Sequence, residues 1–223
     1  MINFKYFLLL LPIAMTSAHA NENEPMYGGM DRVNNPELYQ QDQAFIYQAT
    51  NTFGTAEHAS IGYVDSGFEA HLKGKQELAM QRFNQAWLLD NNNPYSYVGF
   101  GVLYQHNKNY CKAMDMFDIA SEKELVEPGF LADYAFIISQ CINETKNTDK
   151  QKQLTDKVSK IYEKAEQTTN DRVKMYVYKS WVKSLLLLKQ PKQALQKVEY
   201  IESLGQIFDN ELKLKVQTAL EQS

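Results

Sequence analysis

The fold is decided by the stretch from Leu78 to Asp90, which has the sequence LAMQRFNQAWLLD. Ala79, Phe83 and Ala86 lie four and three residues apart, so on a helix they share one face. A large aromatic residue between two small ones predicts a helix that packs closely against a neighbour. The whole chain has 223 residues, of which 44% are hydrophobic, and this proportion favours a folded globular protein over a disordered one.

The same pattern recurs thirty-four residues later in the chain. Two positions of the segment that precedes Leu78 recur with the same offset. The five positions that recur are Tyr63, Gly67, Ala79, Phe83 and Ala86, which match Tyr97, Gly101, Ala113, Phe117 and Ala120. Leu131 and Ala135 continue the interval once more. A glycine inside a helix costs about 1 kcal/mol relative to alanine, so we expect the recurring small residue to face a closely packed neighbouring helix.

Each unit of the repeat is predicted to contain two helices joined by a turn. The predicted units span residues 60–93, 94–127, 128–169 and 171–204, and a closing helix follows over residues 209–221. In the third unit the four-and-three spacing returns late, at Val158, Tyr162 and Ala165. The delay predicts an eleven-residue insertion, which we place at residues 143–153 because that segment is polar.

The chain resembles the tetratricopeptide repeat family, whose unit is a pair of helices with this length and a small–aromatic–small signature on the second helix. Residues 78–90 are similar to that second helix. Tyr63 and Tyr97 stand where the family has tryptophan, and Asn91 stands where it often has proline. The resemblance implies an all-α fold, an α-solenoid of helix–turn–helix repeats.

The first twenty residues have the pattern of a secretory signal peptide. Lys5 supplies a positive charge, an apolar run extends over residues 6–15, and small residues precede a predicted cleavage site after Ala20. The alternative is a membrane anchor, but a spanning helix needs roughly 20 apolar residues. We therefore expect a periplasmic or secreted protein, and the resemblance implies a Gram-negative bacterium.

The segment after the predicted cleavage site is polar. Residues 21–36 are predicted to form a flexible leader, which could also dock on a partner. The helical domain is expected over residues 37–223. Its first part, residues 37–51, is compatible with a short helix that presents Phe45 and Ile46.

The chain has two cysteines, Cys111 and Cys141. In an exported protein an isolated pair favours a disulfide, and two buried thiols are the alternative. The predicted turn near residue 126 lies midway between them, so the two positions are expected side by side on antiparallel helices. No Cys-x-x-Cys spacing is present, which argues against a redox-catalytic role.

The sequence has no motif that indicates catalysis or cofactor binding. After the predicted leader the histidines are His58, His71 and His106, and no two of them have the spacing of a helical zinc site. A formal net charge of −4 leaves no excess of positive charge to neutralise phosphates, so nucleic acid is not an expected partner. We therefore predict no enzyme activity, no cofactor and no metal.

The resemblance implies that the first helices of the units form a concave binding surface. The positions that it assigns to partner binding are Val64, Phe68, His71, Leu72, Tyr95, Val98, Val102 and Gln105. Most of these side chains are apolar or aromatic, which favours a hydrophobic or amphipathic protein segment as the partner. The alternative is that they pack against the N-terminal helix around Phe45 and Ile46.

These features predict a non-catalytic periplasmic scaffold or adaptor for protein–protein interactions, with a role in envelope, secretion or pilus assembly. A monomer is expected, without a membrane span after signal cleavage. Two other hypotheses stay open. The protein is a small enzyme or ligand-binding protein built on a helical array, or it is a structural subunit that self-associates through Tyr178, Trp181 and the last helices.

Overall fold

Ten α-helices account for most of residues 23–223, the part of the chain that the computed structural model describes, and this part contains no β-strand. The helices are α1 (Pro36–Phe53), α2 (Ala56–Leu72), α3 (Gln76–Leu89), α4 (Pro94–His106), α5 (Tyr110–Glu122), α6 (Pro128–Glu144), α7 (Thr148–Ala165), α8 (Asp171–Leu187), α9 (Pro191–Ser203) and α10 (Asn210–Glu221). A short 3₁₀ turn at Pro25–Gly29 precedes them. The predicted signal peptide and its cleavage site after Ala20 lie outside the described residues.

The helices pack in consecutive pairs that are joined by short turns. In the pairs α2 packs on α3, α4 on α5, α6 on α7 and α8 on α9. Helix α1 lies against α2 at one end of the array, and α10 lies against α8 and α9 at the other. The predicted all-α array of paired helices is therefore confirmed.

The third pair has longer helices, and the segment predicted as an insertion, residues 143–153, lies mostly within them. Helix α6 continues to Glu144 and α7 begins at Thr148. These two helices have 17 and 18 residues, whereas α4 and α5 have 13 each. The polar residues of the segment extend the helices because Lys and Gln are good helix formers and Asn147 caps α7 with its side chain.

Glycines in two of the first helices lie directly against phenylalanine rings of the second helices. A Cβ atom added to Gly67 would lie 2.5 Å from the ring of Phe83, and one added to Gly101 would lie 2.3 Å from the ring of Phe117. Phe83 also lies against Gly99 of the next pair, where an added Cβ would be 2.4 Å away. Because both rings are almost completely buried, they have little room to move aside. The recurring small residue thus makes room for an aromatic ring.

The sequence specifies the starts of six helices through side chains that lie just before them. The capping side chains accept hydrogen bonds from backbone N–H groups in the first helical turn, and they belong to Asn35, Thr55, Asn93, Asn147, Asn170 and Asp209. The turns inside the first two pairs also correspond. Gly74 and Lys108, which are thirty-four residues apart, have φ angles of 73° and 60°. The thirty-four-residue repeat therefore includes the residue with a left-handed backbone conformation that follows the first helix of each of these pairs.

The packing changes between the third and fourth pairs, where α8 lies mainly against α6 and makes few contacts with α7. A buried hydroxyl connects these three helices. The Tyr162 hydroxyl of α7 donates to the carbonyl of Ala132 at 3.3 Å and lies 2.9 Å from the Ser180 hydroxyl and 2.8 Å from the Ser184 hydroxyl. Its ring stacks on Trp181 with 5.1 Å between centroids. Burial raises the pKa of Tyr162, so its hydroxyl stays protonated and able to donate.

A disulfide joins the second pair of helices to the third. Cys111 near the start of α5 is bonded to Cys141 near the end of α6, with 4.7 Å between their Cα atoms. The short turn between these helices makes them antiparallel neighbours, as the position of the turn predicts. The predicted pairing of the two cysteines is therefore confirmed.

The residues before α1 are held against the array, which corrects the prediction of a flexible leader over residues 21–36. We call residues 24–32 the N-terminal strap. The fully buried side chain of Asn84 in α3 donates to the carbonyl of Glu24 at 2.9 Å and accepts from the N–H of Tyr27 at 3.3 Å. The Asn84 side chain thus replaces the hydrogen bonds that the Glu24 carbonyl and the Tyr27 N–H would otherwise make with water.

Side chains at the end of the strap strengthen this contact. Arg32 forms a bidentate ion pair with the carboxylate of Asp42 in α1, with Nε 2.8 Å from Oδ2 and Nη2 2.5 Å from Oδ1. The Arg32 guanidinium also lies 4.0 Å from the centre of the Tyr27 ring, and that ring packs edge-on against Trp87. The polar composition of residues 21–36 predicted a flexible segment. Composition does not show the contacts with Trp87 and Asp42, because these residues lie elsewhere in the sequence.

We expect Gly101→Ala to destabilise the protein although alanine favours helix. Overpacking of a dense core costs about 1–3 kcal/mol, which exceeds the gain of about 1 kcal/mol in helix propensity. The free energy of unfolding, measured by urea titration, should fall. The control is Gly129→Ala in α6, where an added Cβ meets nothing within 4 Å. Equal or higher stability of Gly101→Ala would contradict the ring contact as the reason for the glycine.

Reduction of the disulfide should lower the free energy of unfolding by about 3–4 kcal/mol, because the bridge closes a loop of 30 residues in the unfolded chain. Urea titrations with and without a reductant measure the difference. The double variant Cys111→Ala/Cys141→Ala should unfold at the lower urea concentration under both conditions. If intact mass shows the bridge and its reduction leaves the midpoint unchanged, the stabilising role is wrong.

Candidate functional site

An open groove crosses the helix array along the second halves of α2, α4, α6 and α8 and ends on α10. It consists of two clefts of about 310 and 390 Å³ that share Phe136 and Gln140 of α6. We call this surface the central groove. Its lining residues are His71, Val102, Gln105, His106, Tyr110, Phe136, Gln140, Lys183, Leu186, Leu187, Leu212 and Lys215.

The cleft between α2, α4 and α6 is rich in side chains that donate and accept hydrogen bonds. The rings of His71 and His106 meet edge-to-face, with 5.7 Å between their centroids. Nδ1 of His71 lies 2.8 Å from the amide oxygen of Gln76. Because an amide oxygen only accepts, Nδ1 donates this hydrogen bond. Gln105 and Gln140 add two amide groups to this half of the groove.

The cleft between α6, α8 and α10 is apolar with a positive rim. Leu186, Leu187 and Leu212 line it together with Phe136. Lys183 and Lys215 are exposed at its edge, and no acidic side chain lines it. Lys215 forms an ion pair with Glu211 at 2.6 Å, and this hydrogen bond raises the pKa of Lys215. Glu211 offsets the charge of Lys215, so the positive charge of the rim comes mainly from Lys183.

The first halves of α6 and α8 carry a different arrangement of charge. The Tyr176 hydroxyl of α8 donates a hydrogen bond to the carboxylate of Asp133 in α6. Desolvation by the packed helices raises the pKa of Asp133, and the hydrogen bond from Tyr176 opposes that rise. A carboxylate at this position makes the first halves of these helices unsuitable for an anionic ligand.

Three of the predicted partner-binding residues line the central groove, namely His71, Val102 and Gln105. Leu72 is 84% exposed, but it lies outside the groove lining. Tyr95 lies at the start of α4, where its hydroxyl donates to the carboxylate of Glu127 at 3.2 Å.

The other three predicted positions contribute to packing. Val64 is buried, and Phe68 packs edge-on against Phe83 with 5.0 Å between ring centroids. Val98 packs between the two main hydrophobic clusters.

The N-terminal helix does not fill the central groove. Phe45 of α1 packs edge-on against Tyr63, and Ile46 belongs to the same small cluster around Ala59 and Leu89. The contacts of the N-terminal strap are on α1, α3 and α4, at residues that do not line the groove. The contacts of Phe45 and Ile46 are therefore with Tyr63 and this small cluster, and neither residue lines the central groove.

The aromatic residues proposed for self-association are buried within the protomer. Tyr178 is 2% exposed and Trp181 is 5% exposed. Neither ring offers a surface to a second subunit.

The interval of thirty-four residues could have identified two further groove residues. Val102 recurs as Phe136, and His106 recurs as Gln140. The residues on α8 and α10 lie beyond the lengthened third pair, where the interval no longer holds. Only the packing of α8 against α6 brings Lys183 beside Phe136.

Within residues 23–223 no group of three or more His, Cys, Asp or Glu side chains could hold a metal ion. None of the ten helices is long and apolar enough to cross a lipid bilayer. No family model, curated protein or solved structure matches the chain. The contacts of the site are therefore the basis for its interpretation.

We expect Tyr27→Ala/Arg32→Ala to release the N-terminal strap without changing the central groove. The double variant removes the packing of Tyr27 on Trp87, the contact between Arg32 and the Tyr27 ring, and the ion pair with Asp42. Hydrogen–deuterium exchange should accelerate at residues 24–34 and stay unchanged at residues 136–142. Faster exchange over both segments would show that the strap and the groove are coupled.

Proposed function

We propose that this protein is an exported, non-catalytic adaptor of the tetratricopeptide repeat type, which binds an extended segment of another protein in the central groove. The supporting observation is that the two clefts of this groove share Phe136 and Gln140. An amide-lined half on α4 and α6 joins an apolar half on α6, α8 and α10 through Phe136 and Gln140.

The lining of the groove suggests the chemistry of its partner. Gln105 and Gln140 can each donate to and accept from a peptide backbone. Phe136 and Leu187 offer an apolar pocket for one side chain of the segment. Lys183 at the rim favours an acidic residue next to that side chain. The expected partner is therefore an extended segment in which an apolar residue is followed by a carboxylate.

Export is supported by two independent features of the chain. Residues 1–20 have the pattern of a signal peptide, and the Cys111–Cys141 disulfide is typical of an oxidising compartment. A periplasmic location and a monomeric state are parts of the same proposal.

The proposal is tested by site-specific photo-crosslinking in the producing cells. A photoreactive phenylalanine analogue at Phe136 should give a defined cross-linked protein, which mass spectrometry identifies together with the attached segment. The same analogue at Tyr47, which is 72% exposed on α1, is the control. Equal cross-linking from both positions would contradict a specific groove.

The attached segment is then made as a peptide and titrated with purified protein by calorimetry. Phe136→Glu should weaken binding by about tenfold or more, because a charge replaces an apolar anchor. Lys183→Glu should also weaken it, and a peptide with lysine in place of its acidic residue should restore the affinity. Tyr47→Glu should bind as the unmodified protein does. Unchanged affinity of the Phe136 variant would refute the proposed groove.

A further inference from the structure

A second pocket lies at the turn between α7 and α8, next to α9, and it shares no residue with the central groove. Its volume is about 500 Å³, within the range of about 300–1,000 Å³ that is common for small-ligand sites. Polar side chains supplied by the end of α7, by α8 and by α9 converge on it, including Glu166, Lys174, Gln196 and Lys197.

Two stacked tyrosines form one wall of this pocket. The rings of Tyr178 and Tyr200 are 5.4 Å apart between centroids and 20° from parallel. Tyr178 is buried, whereas Tyr200 is 47% exposed. The inner ring supports the outer one, so Tyr200 presents a fixed apolar surface at the pocket edge.

The polar groups beside this wall are held in place by one another. The Tyr178 hydroxyl donates to Oε2 of Glu166 at 2.6 Å, and the ammonium of Lys197 lies 3.9 Å from the same oxygen. That ammonium also lies 3.4 Å from the centre of the Trp181 ring. Oε1 of Glu166 makes no hydrogen bond within residues 23–223, so it is available to accept one from a ligand.

The surroundings also shift the pKa values of Tyr178 and Lys197. Burial raises the pKa of Tyr178, and the hydrogen bond to Glu166 raises it further, so the phenol keeps its proton. Burial lowers the pKa of Lys197, while the charge of Glu166 opposes that effect. Glu166 directly follows α7 and Lys197 lies on α9, so this partly exposed charge pair connects the end of α7 to α9.

The mixture of groups selects the chemical class of the ligand. An anion would meet the carboxylate of Glu166, and a cation would meet Lys174 and Lys197. A sugar is neutral, its hydroxyls both donate and accept, and the C–H face of its ring can cover an aromatic side chain. We propose that this pocket binds a neutral oligosaccharide, with one sugar ring on Tyr200 and its hydroxyls on Glu166 and Lys197. The proposal does not depend on the function of the central groove.

The experiment is a titration of the ¹⁵N-labelled protein with chitotriose, maltotriose and cellotriose, followed by NMR. At least one of these should shift the amide signals of residues 166–169 and 196–200 with a Kd of about 1 mM or tighter, a typical affinity for a small site. Inorganic phosphate is the comparison probe, and it should leave these signals unchanged.

Two substitutions and a matched control decide the outcome. Tyr200→Ala and Glu166→Gln should each weaken binding by about tenfold, which corresponds to one lost stacking or charge-assisted contact. Tyr39→Ala removes a similarly exposed tyrosine, 46% accessible on α1, and should have no effect. Dispersed spectra of the variants establish that they are folded. The proposal is overturned if no trisaccharide shifts these signals, if phosphate alone does, or if Tyr200→Ala binds unchanged.

Discussion

Contact between a phenylalanine ring and a glycine of a neighbouring helix sets the geometry on which the rest of the structure depends. Phe83 lies between Gly67 of α2 and Gly99 of α4, and Phe117 lies against Gly101. Only a hydrogen atom fits on the glycine side of each contact, so one ring determines how far apart these helices lie. Since a packed interior resists both voids and compression, these rings fix the spacing of α2 and α4, whose ends carry part of the lining of the central groove.

The third pair uses the same positions with different residues, and this changes the architecture. Ala135 stands where the earlier pairs have glycine, and Tyr162 stands where they have phenylalanine. A buried hydroxyl must find hydrogen-bond partners, and α8 supplies them through Ser180 and Ser184. The Ser180 hydroxyl also donates to the Ala132 carbonyl, so this group of hydroxyls connects α8 to both α6 and α7. The leucines of α8 extend the groove beyond Phe136.

Helix α8 also connects the two surfaces for which we propose ligands. Lys183 and Leu187 face the central groove, whereas Lys174 and Tyr178 line the pocket beside α9. The two sets are separate on the same helix, so the proposed protein segment and the proposed sugar would not compete for the same residues.

The interval of thirty-four residues by itself determined the paired helices from α2 to α5, the place of the glycines and, through the turn near residue 126, the pairing of the cysteines. These features follow from local spacing because helical periodicity decides which side chains share a face. The N-terminal strap and the packing of α8 on α6 were decided only by the tertiary structure. Each depends on a buried polar group whose partners are distant in the sequence, since those of Asn84 lie in the strap and those of Tyr162 lie on α6 and α8. No local pattern records such partners, because the cost of leaving a buried polar group unpaired arises only when the chain has folded around it.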